Sequence, residues 1–233
     1  MQLLLFDIDG TLLNTDGAGR RAIHRALIDR AGTPGVLPGY RLDGKTDPQI
    51  VRELLAQGGH ASPDDLALVE EICTQYVTHL AEELERPGYG TRAMPGVPAL
   101  LEALAPREAA GEVMVGLLTG NVVGGAALKL KAAGIGFERF AVGAYGLDGR
   151  HRPDLPPVAL ARASALLGRP ILGTDTWIIG DTPADVACGR PVGARALAVA
   201  TGSYGVADLE ATGAELVFAD LSDTNAVLEG LGV

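Results

Sequence analysis

The chain has 233 residues, is 47% hydrophobic and carries a formal net charge of −10, with 29 acidic against 19 basic residues. That composition specifies a folded chain long enough to bury a sizeable core and excludes a disordered polymer. The negative charge opposes nucleic acid and other large polyanions as partners, yet it admits a small phosphorylated metabolite whose charge a bound cation neutralises locally.

The start, Met1 to Phe6, is a strand-length apolar run meeting acid at Asp7, with no basic n-region of a signal peptide. No stretch approaches the roughly 20 apolar residues of a membrane span. A cytoplasmic location without a membrane partner is the expectation, and nothing favours a monomer over a homodimer.

In chain order, Leu3 to Phe6 followed by Asp7-Ile8-Asp9-Gly10-Thr11 reads as a buried parallel strand running into a polar loop. Helical spacing follows in Ala22, Ile23, Ala26 and Leu27, and again in Ile50, Val51, Leu54 and Leu55 after Asp47-Pro48. A third helix is expected with Ser62 as N-cap, Pro63 first, Asp64 and Asp65 in the first turn, and Leu66, Val69, Cys73, Tyr76, Leu80 and Leu84 on one face.

From there helix and strand alternate. The pattern predicts helix 97–104, strand 113–118, helix 122–133, strand 140–142, helix 155–167 and strand 177–179. A short helix 184–188, strand 196–200, helix 206–211 and strand 216–218 complete it. Such alternation implies parallel strands joined by right-handed crossovers. The expected fold is α/β, a doubly wound parallel-sheet core formed by residues 1–14 and 91–233, with an all-helical segment, 15–90, inserted after the first strand. The crossings near 14–19 and 87–90 contain glycine or proline and suit hinges.

Cys73 and Cys188 stand far apart on helices and read as buried apolar residues, and the four histidines lack metal-ligand spacing. Chemistry is instead concentrated at three strand ends. Asp7 and Asp9, two apart on extended backbone, project to the same side, and Gly10 lets the chain turn away. Thr119-Gly120-Asn121 ends the strand of 113–118 before a helix whose free N–H groups can receive an anion. Asp181 ends the strand before Thr182-Pro183-Ala184-Asp185, and carboxylate oxygens suit Mg²⁺. Taken alone, the acid pair reads better as a solvated strand end and Thr119 or Asn121 better as a helix cap, and Asp181 or Thr182 also suits a cap. Together, at one edge of one parallel sheet, they read as a site.

The ordered motifs Asp7-Ile8-Asp9-Gly10-Thr11-Leu12, Pro95-Gly96-Val97, Thr119-Gly120-Asn121 and Gly180-Asp181-Thr182 with Asp185 resemble those of the haloacid dehalogenase superfamily. Within it the resemblance is to the phosphoglycolate phosphatase-like and β-phosphoglucomutase-like branch, whose members carry a helical cap. The resemblance implies a Rossmann-like core with a small cap domain and Mg²⁺-dependent hydrolysis of a small phosphate monoester. Asp7 would be the nucleophile forming an aspartyl-phosphate, and Asp9 the general acid and later the base. Thr119 would bind the phosphoryl group, with Gly10, Gly120 and Asn121 around it. Asp7, Asp181 and the Asp9 backbone carbonyl would hold the metal, with Asp185 supporting or ligating.

Where the family has lysine at its third motif, this chain has Arg152-Pro153, so Arg152 takes the cationic role, with Arg150 and His151 as substitutes. Lys129 and Lys131 are expected in solvent. In Gly44-Lys45-Thr46-Asp47, which resembles the family's cap loop, Lys45 is expected to meet the substrate, and Thr46 or Asp47 to cap a helix. A phosphomutase of the β-phosphoglucomutase type shares the same intermediate and is the alternative. A catalytically silent binding protein on the same fold is a third reading, against which Asp7, Asp9 and Asp181 all stand. Carbon–halogen hydrolysis is disfavoured by Asp9 and Asp181.

Overall fold

The computed structural model describes residues 1–35 and 39–233. It begins with β1 (Gln2–Phe6) and β2 (Leu13–Asn14), then three helices, α1 (Ala18–Ala31), α2 (Asp47–Gln57) and α3 (Leu66–Leu84). The chain returns through β3 (Arg92–Ala93) into α4 (Val97–Ala109), β4 (Val113–Leu118), α5 (Val123–Ala132), β5 (Val142–Ala144) and α6 (Leu155–Leu167). It ends with β6 (Thr176–Gly180), α7 (Pro183–Cys188), β7 (Arg195–Val199), α8 (Val206–Glu210), β8 (Leu216–Phe218) and α9 (Thr224–Leu231).

Six strands form one parallel sheet in the order β5-β4-β1-β6-β7-β8, which places β1 at the centre. Leu3, Leu4, Leu5 and Phe6 have no exposed surface because both sheet faces are covered. On one face Leu4, Phe6, Val115, Leu117 and Ile179 pack with Leu100, Leu104 and Leu228, and on the other Leu3, Leu5 and Ile178 meet Leu155 and Ala159. Phe6 is in register with Leu117 on one side and Ile179 on the other. The residues following the three central strands therefore emerge side by side.

The inserted helices α1, α2 and α3 bury a core of their own built on Ile23, Leu27, Leu54, Ile72, Tyr76 and Leu80. The chain leaves and re-enters the sheet through the antiparallel pair Leu13↔Ala93 and Asn14↔Arg92, so both crossings lie together.

Several boundaries differ from the sequence expectation. Helix α3 starts at Leu66, not Pro63: Asp65 is its N-cap and accepts from the Ala67 and Leu68 amides, which leaves Ser62 outside and Leu66 exposed. Helix α4 runs five residues past Leu104, with Pro106 inside it. Strand β5 is 142–144 rather than 140–142, since its partners on β4 are Gly116 to Leu118. Helix α9 and the two-residue strands β2 and β3 were not expected. No helix among the described residues is long and apolar enough to cross a membrane.

Candidate active site

Asp7 follows β1 and remains tied to the sheet by its amide, which donates to the Ile179 carbonyl at 2.9 Å. Its side chain is buried against the buried Arg152, whose Nη2 lies 3.3 Å from Asp7 Oδ1. Burial pushes the Asp7 carboxyl up to about 6 although Arg152 opposes the shift. Arg152 also donates to the Leu118 carbonyl at 3.2 Å and pairs with Asp185. Burial disfavours its charge, but Asp185 and Asp7 outweigh that and hold its pKa above the ordinary value.

Asp185 is fully engaged. One oxygen faces Arg152, and the other accepts from the Thr182 amide at 2.9 Å and the Thr182 hydroxyl at 2.6 Å in a capping box on α7. It positions the arginine. Asp181 accepts from the Thr11 hydroxyl at 3.0 Å, and burial, with the charges of Asp185 and Asp7, raises it to about 8. One oxygen each of Asp7, Asp181 and Asp185 lie within 4.8 Å of one another. Three carboxylates so close, with one arginine between them, leave unbalanced negative charge that a divalent cation would satisfy, and an all-oxygen donor set fits Mg²⁺.

Asp9 departs from this cluster. Its Oδ2 accepts from Lys129 Nζ at 2.6 Å and from Asn121 Nδ2 at 2.8 Å, and Lys129 also donates to Asn121 Oδ1 at 2.6 Å. The expectation of a solvated Lys129 is therefore wrong: it is 4% exposed, while Lys131, two residues on, does face solvent. Helical spacing held the signal, because Lys129 stands four residues after Gly125 and three after Ala126 on the buried face of α5, a face that Lys131 does not share.

Thr119 is fully buried, its hydroxyl accepting from the Asn121 amide at 3.3 Å and from Asn121 Nδ2 at 2.8 Å. Gly120 allows the cap to approach, since a Cβ there would lie 2.0 Å from the Lys45 carbonyl oxygen. Gly10, at φ +82, turns the chain past Asp181, and its own amide is spent on the Leu13 carbonyl at 2.9 Å.

From the cap side, Thr46 is the N-cap of α2 and accepts from the Gln49 amide at 3.2 Å. That frees Asp47, which sequence reasoning left as an alternative cap. Asp47 donates its amide to the Gly120 carbonyl at 2.7 Å and accepts from the Val122 amide at 2.8 Å, clasping α2 to the loop after β4. Burial raises its carboxyl to about 6. Lys45 pairs with Glu53 at 2.6 Å and lies over the Tyr40 ring.

Asp7, Asp9, Gly10, Lys45, Asp47, Tyr76, Gly120, Asn121, Lys129, Arg152 and Asp181 line one cavity of about 390 Å³ between the sheet edge and the helical segment. Of the three candidate cations in the loop before α6, only Arg152 points inward. Arg150 is exposed and pairs with Asp64 at 2.6 Å, and His151 is exposed.

The family model described as haloacid dehalogenase-like hydrolase matches residues 4–190. A phosphoglycolate phosphatase of Pseudomonas putida is 28% identical over 223 residues, 94% of this chain and 77% of that protein. An N-acetylmuramic acid 6-phosphate phosphatase of Pseudomonas aeruginosa is 29% identical over 216 residues, 87% of this chain and 83% of that protein. CbbY from Rhodobacter sphaeroides, solved in complex with phosphate, has the same fold, with a TM-score of 0.74 at 19% identity over the whole of both chains. With its parallel sheet, inserted helices and strand-end acids, the chain belongs to the haloacid dehalogenase-like hydrolases.

Proposed function

We propose that this protein is a Mg²⁺-dependent phosphatase of small phosphate monoesters that works through an aspartyl-phosphate. The observation carrying this reading is the pairing of Asp7, at 3.3 Å from Arg152, beside Asp181 on the wall of an accessible cavity. A nucleophilic carboxylate, a fixed cation for the phosphoryl charge and a second acid for a metal are what phosphoryl transfer requires.

In this reading Asp7 attacks phosphorus and the bond to the leaving oxygen breaks, with Asp9 supplying the proton. Asp9 then takes a proton from water, which attacks the phosphoaspartate and releases phosphate and Asp7. Arg152 steadies the charge, and Thr119, whose hydroxyl donates to no described residue while its oxygen accepts from Asn121, donates to a phosphoryl oxygen. Mg²⁺, held by Asp7, Asp181 and the Asp9 backbone carbonyl, would neutralise phosphoryl charge. Residues 15–90 act as a cap over a core of 1–14 and 91–233, and Arg41 stacked 4.7 Å from the Tyr204 ring and Arg150 on Asp64 bridge the two.

The test is phosphate release from p-nitrophenyl phosphate with Mg²⁺, expected to vanish in Asp7→Asn and on chelation. Full activity in Asp7→Asn protein would sink the mechanism. A sugar phosphate distinguishes the mutase alternative, which returns an isomer instead of free phosphate.

A further inference from the structure

Beyond the phosphoryl-handling groups, the cavity wall includes Asp47, Tyr76 and Lys129 among its buried polar residues. Asp47 uses one carboxylate oxygen on the Val122 amide, and its other oxygen accepts nothing from a described residue and is not sealed from the cavity. Tyr76 is anchored in the cap core by its ring, but its hydroxyl bonds no described residue and is likewise unsealed. Burial, reinforced by the charges of Asp47 and Asp9, keeps the phenol protonated. Among the described residues the wall therefore presents the second Asp47 oxygen as an acceptor and the Tyr76 hydroxyl, with the hydroxyls of Thr15 and Ser203 also lining the cavity.

Its inner cations, by contrast, are paired, and Arg20 at the exposed rim is the one lining cation without an ion pair among the described residues. Lys45 is held by Glu53, which also accepts from Tyr40 and Gln49. Lys129 is bonded to Asp9 and Asn121, and its single charge also faces Asp47, so two carboxylates share one ammonium. Arg152 serves Asp7 and Asp185. Arg20, exposed at the cavity rim, donates to the Tyr40 carbonyl at 3.0 Å. A carboxylate beside the scissile ester would meet net negative charge, whereas a hydroxyl would find both a donor and an acceptor.

We infer that the leaving group is uncharged and hydroxyl-bearing, of the polyol or sugar class, with Asp47 and Tyr76 receiving its hydroxyls, and that a carboxylate next to the ester is selected against. This rests on the phosphatase reading above and deepens it. Sites built to hydrogen-bond a substrate hydroxyl discriminate strongly against analogues without one, because their own polar groups are then left unpaired.

The experiment uses esters matched in all but charge: 2-hydroxyethyl phosphate against phosphoglycolate, and glycerol 3-phosphate against 3-phosphoglycerate. The hydroxyl member of each pair is expected to have a kcat/KM at least about tenfold higher. Asp47→Asn, whose amide oxygen still accepts from Val122, should shrink that ratio several-fold at unchanged melting temperature. Tyr76→Phe should lower kcat/KM for the hydroxyl esters. Calorimetric binding of the same four esters to Asp7→Asn protein with Mg²⁺ gives the ranking independently of turnover. Absence of hydrolysis in wild type would then defeat the phosphatase reading, and the binding order would still judge the inference. Equal or better use of the carboxylate esters, or a ratio unmoved by Asp47→Asn, overturns it. Selective loss of carboxylate esters in Arg20→Gln would do the same and name Arg20 as an anion receiver.

Discussion

The Lys129 ammonium sits 2.6 Å from the Asp9 carboxylate and is buried, while the Asp9 side chain keeps 44% of its surface exposed. The lysine holds the acid away from the Asp7–Asp181 cluster and fixes its direction. Replacing Lys129 by Met leaves Asp9 hydrated but takes the facing cation from buried Asp47, so the melting temperature should fall. Activity should fall about 100-fold on alkyl phosphates, whose leaving oxygen needs a proton, and less on p-nitrophenyl phosphate. Steady-state kinetics on both substrates checks this, and equal losses would show that Lys129 does not act through Asp9.

Arg152 and Arg150 separate two cations two residues apart. Removing Arg152 strands Asp185 in a buried position, and truncating one partner of a buried pair costs about 3–5 kcal/mol. Arg150, 61% exposed and paired among the described residues with the exposed Asp64 alone, should cost under about 1 kcal/mol. Chemical denaturation of the two alanine variants, alongside phosphate release, is expected to show loss of stability and activity together for Arg152→Ala and of neither for Arg150→Ala.

Much of this arrangement is legible in the chain because strand ends carry it. Asp7, Thr119 and Asp181 each follow a continuous apolar run, and β4, α6 and β8 fall where periodicity places them. The cap was visible as helices without intervening strands. What escaped depends on tertiary contact. Lys129 is buried where α1 meets α5, with Gly19 close to its Nζ. Asp47 matters because Thr46 takes the capping role, and a choice between adjacent capping residues is decided by geometry. Strands of two residues, such as β2 and β3, are too short for any period. Helix α9 went unexpected although its signals stand in the chain, with Asp223 as cap and Val227, Leu228 and Leu231 on one face.

Gly120 lets two loops touch. A Cβ at this position would fall 2.0 Å from the Lys45 carbonyl and 3.0 Å from the Thr46 Cα, both backbone atoms that cannot swing aside. Gly120→Ala should therefore push the start of α2 away, breaking the bond from the Asp47 amide to the Gly120 carbonyl. Its cost is about 1–3 kcal/mol, in the range of overpacking. A higher KM than wild type and faster amide exchange at Asp47 and Val122 are expected, and wild-type exchange there would show that the cap does not rest on this contact.

Acidity supplies a metal test that needs no turnover. The Asp181 carboxyl titrates near 8 in the folded chain and near 3.8 in an unfolded reference, so between those values the folded state holds more protons. Stability then falls as pH rises through that window, and Asp7, raised to about 6, adds to the fall from the same cause. The cation-free protein should melt lower at pH 8 than at pH 5. Mg²⁺ binds the deprotonated carboxylates, so its stabilising effect should be larger at pH 8, where they are ionised, than at pH 5, where protons compete. Differential scanning calorimetry with chelator and with Mg²⁺ at both pH values measures the difference. In Asp181→Asn the pH slope should flatten and most of the Mg²⁺ shift should disappear, whereas a full shift in that variant would place the cation elsewhere.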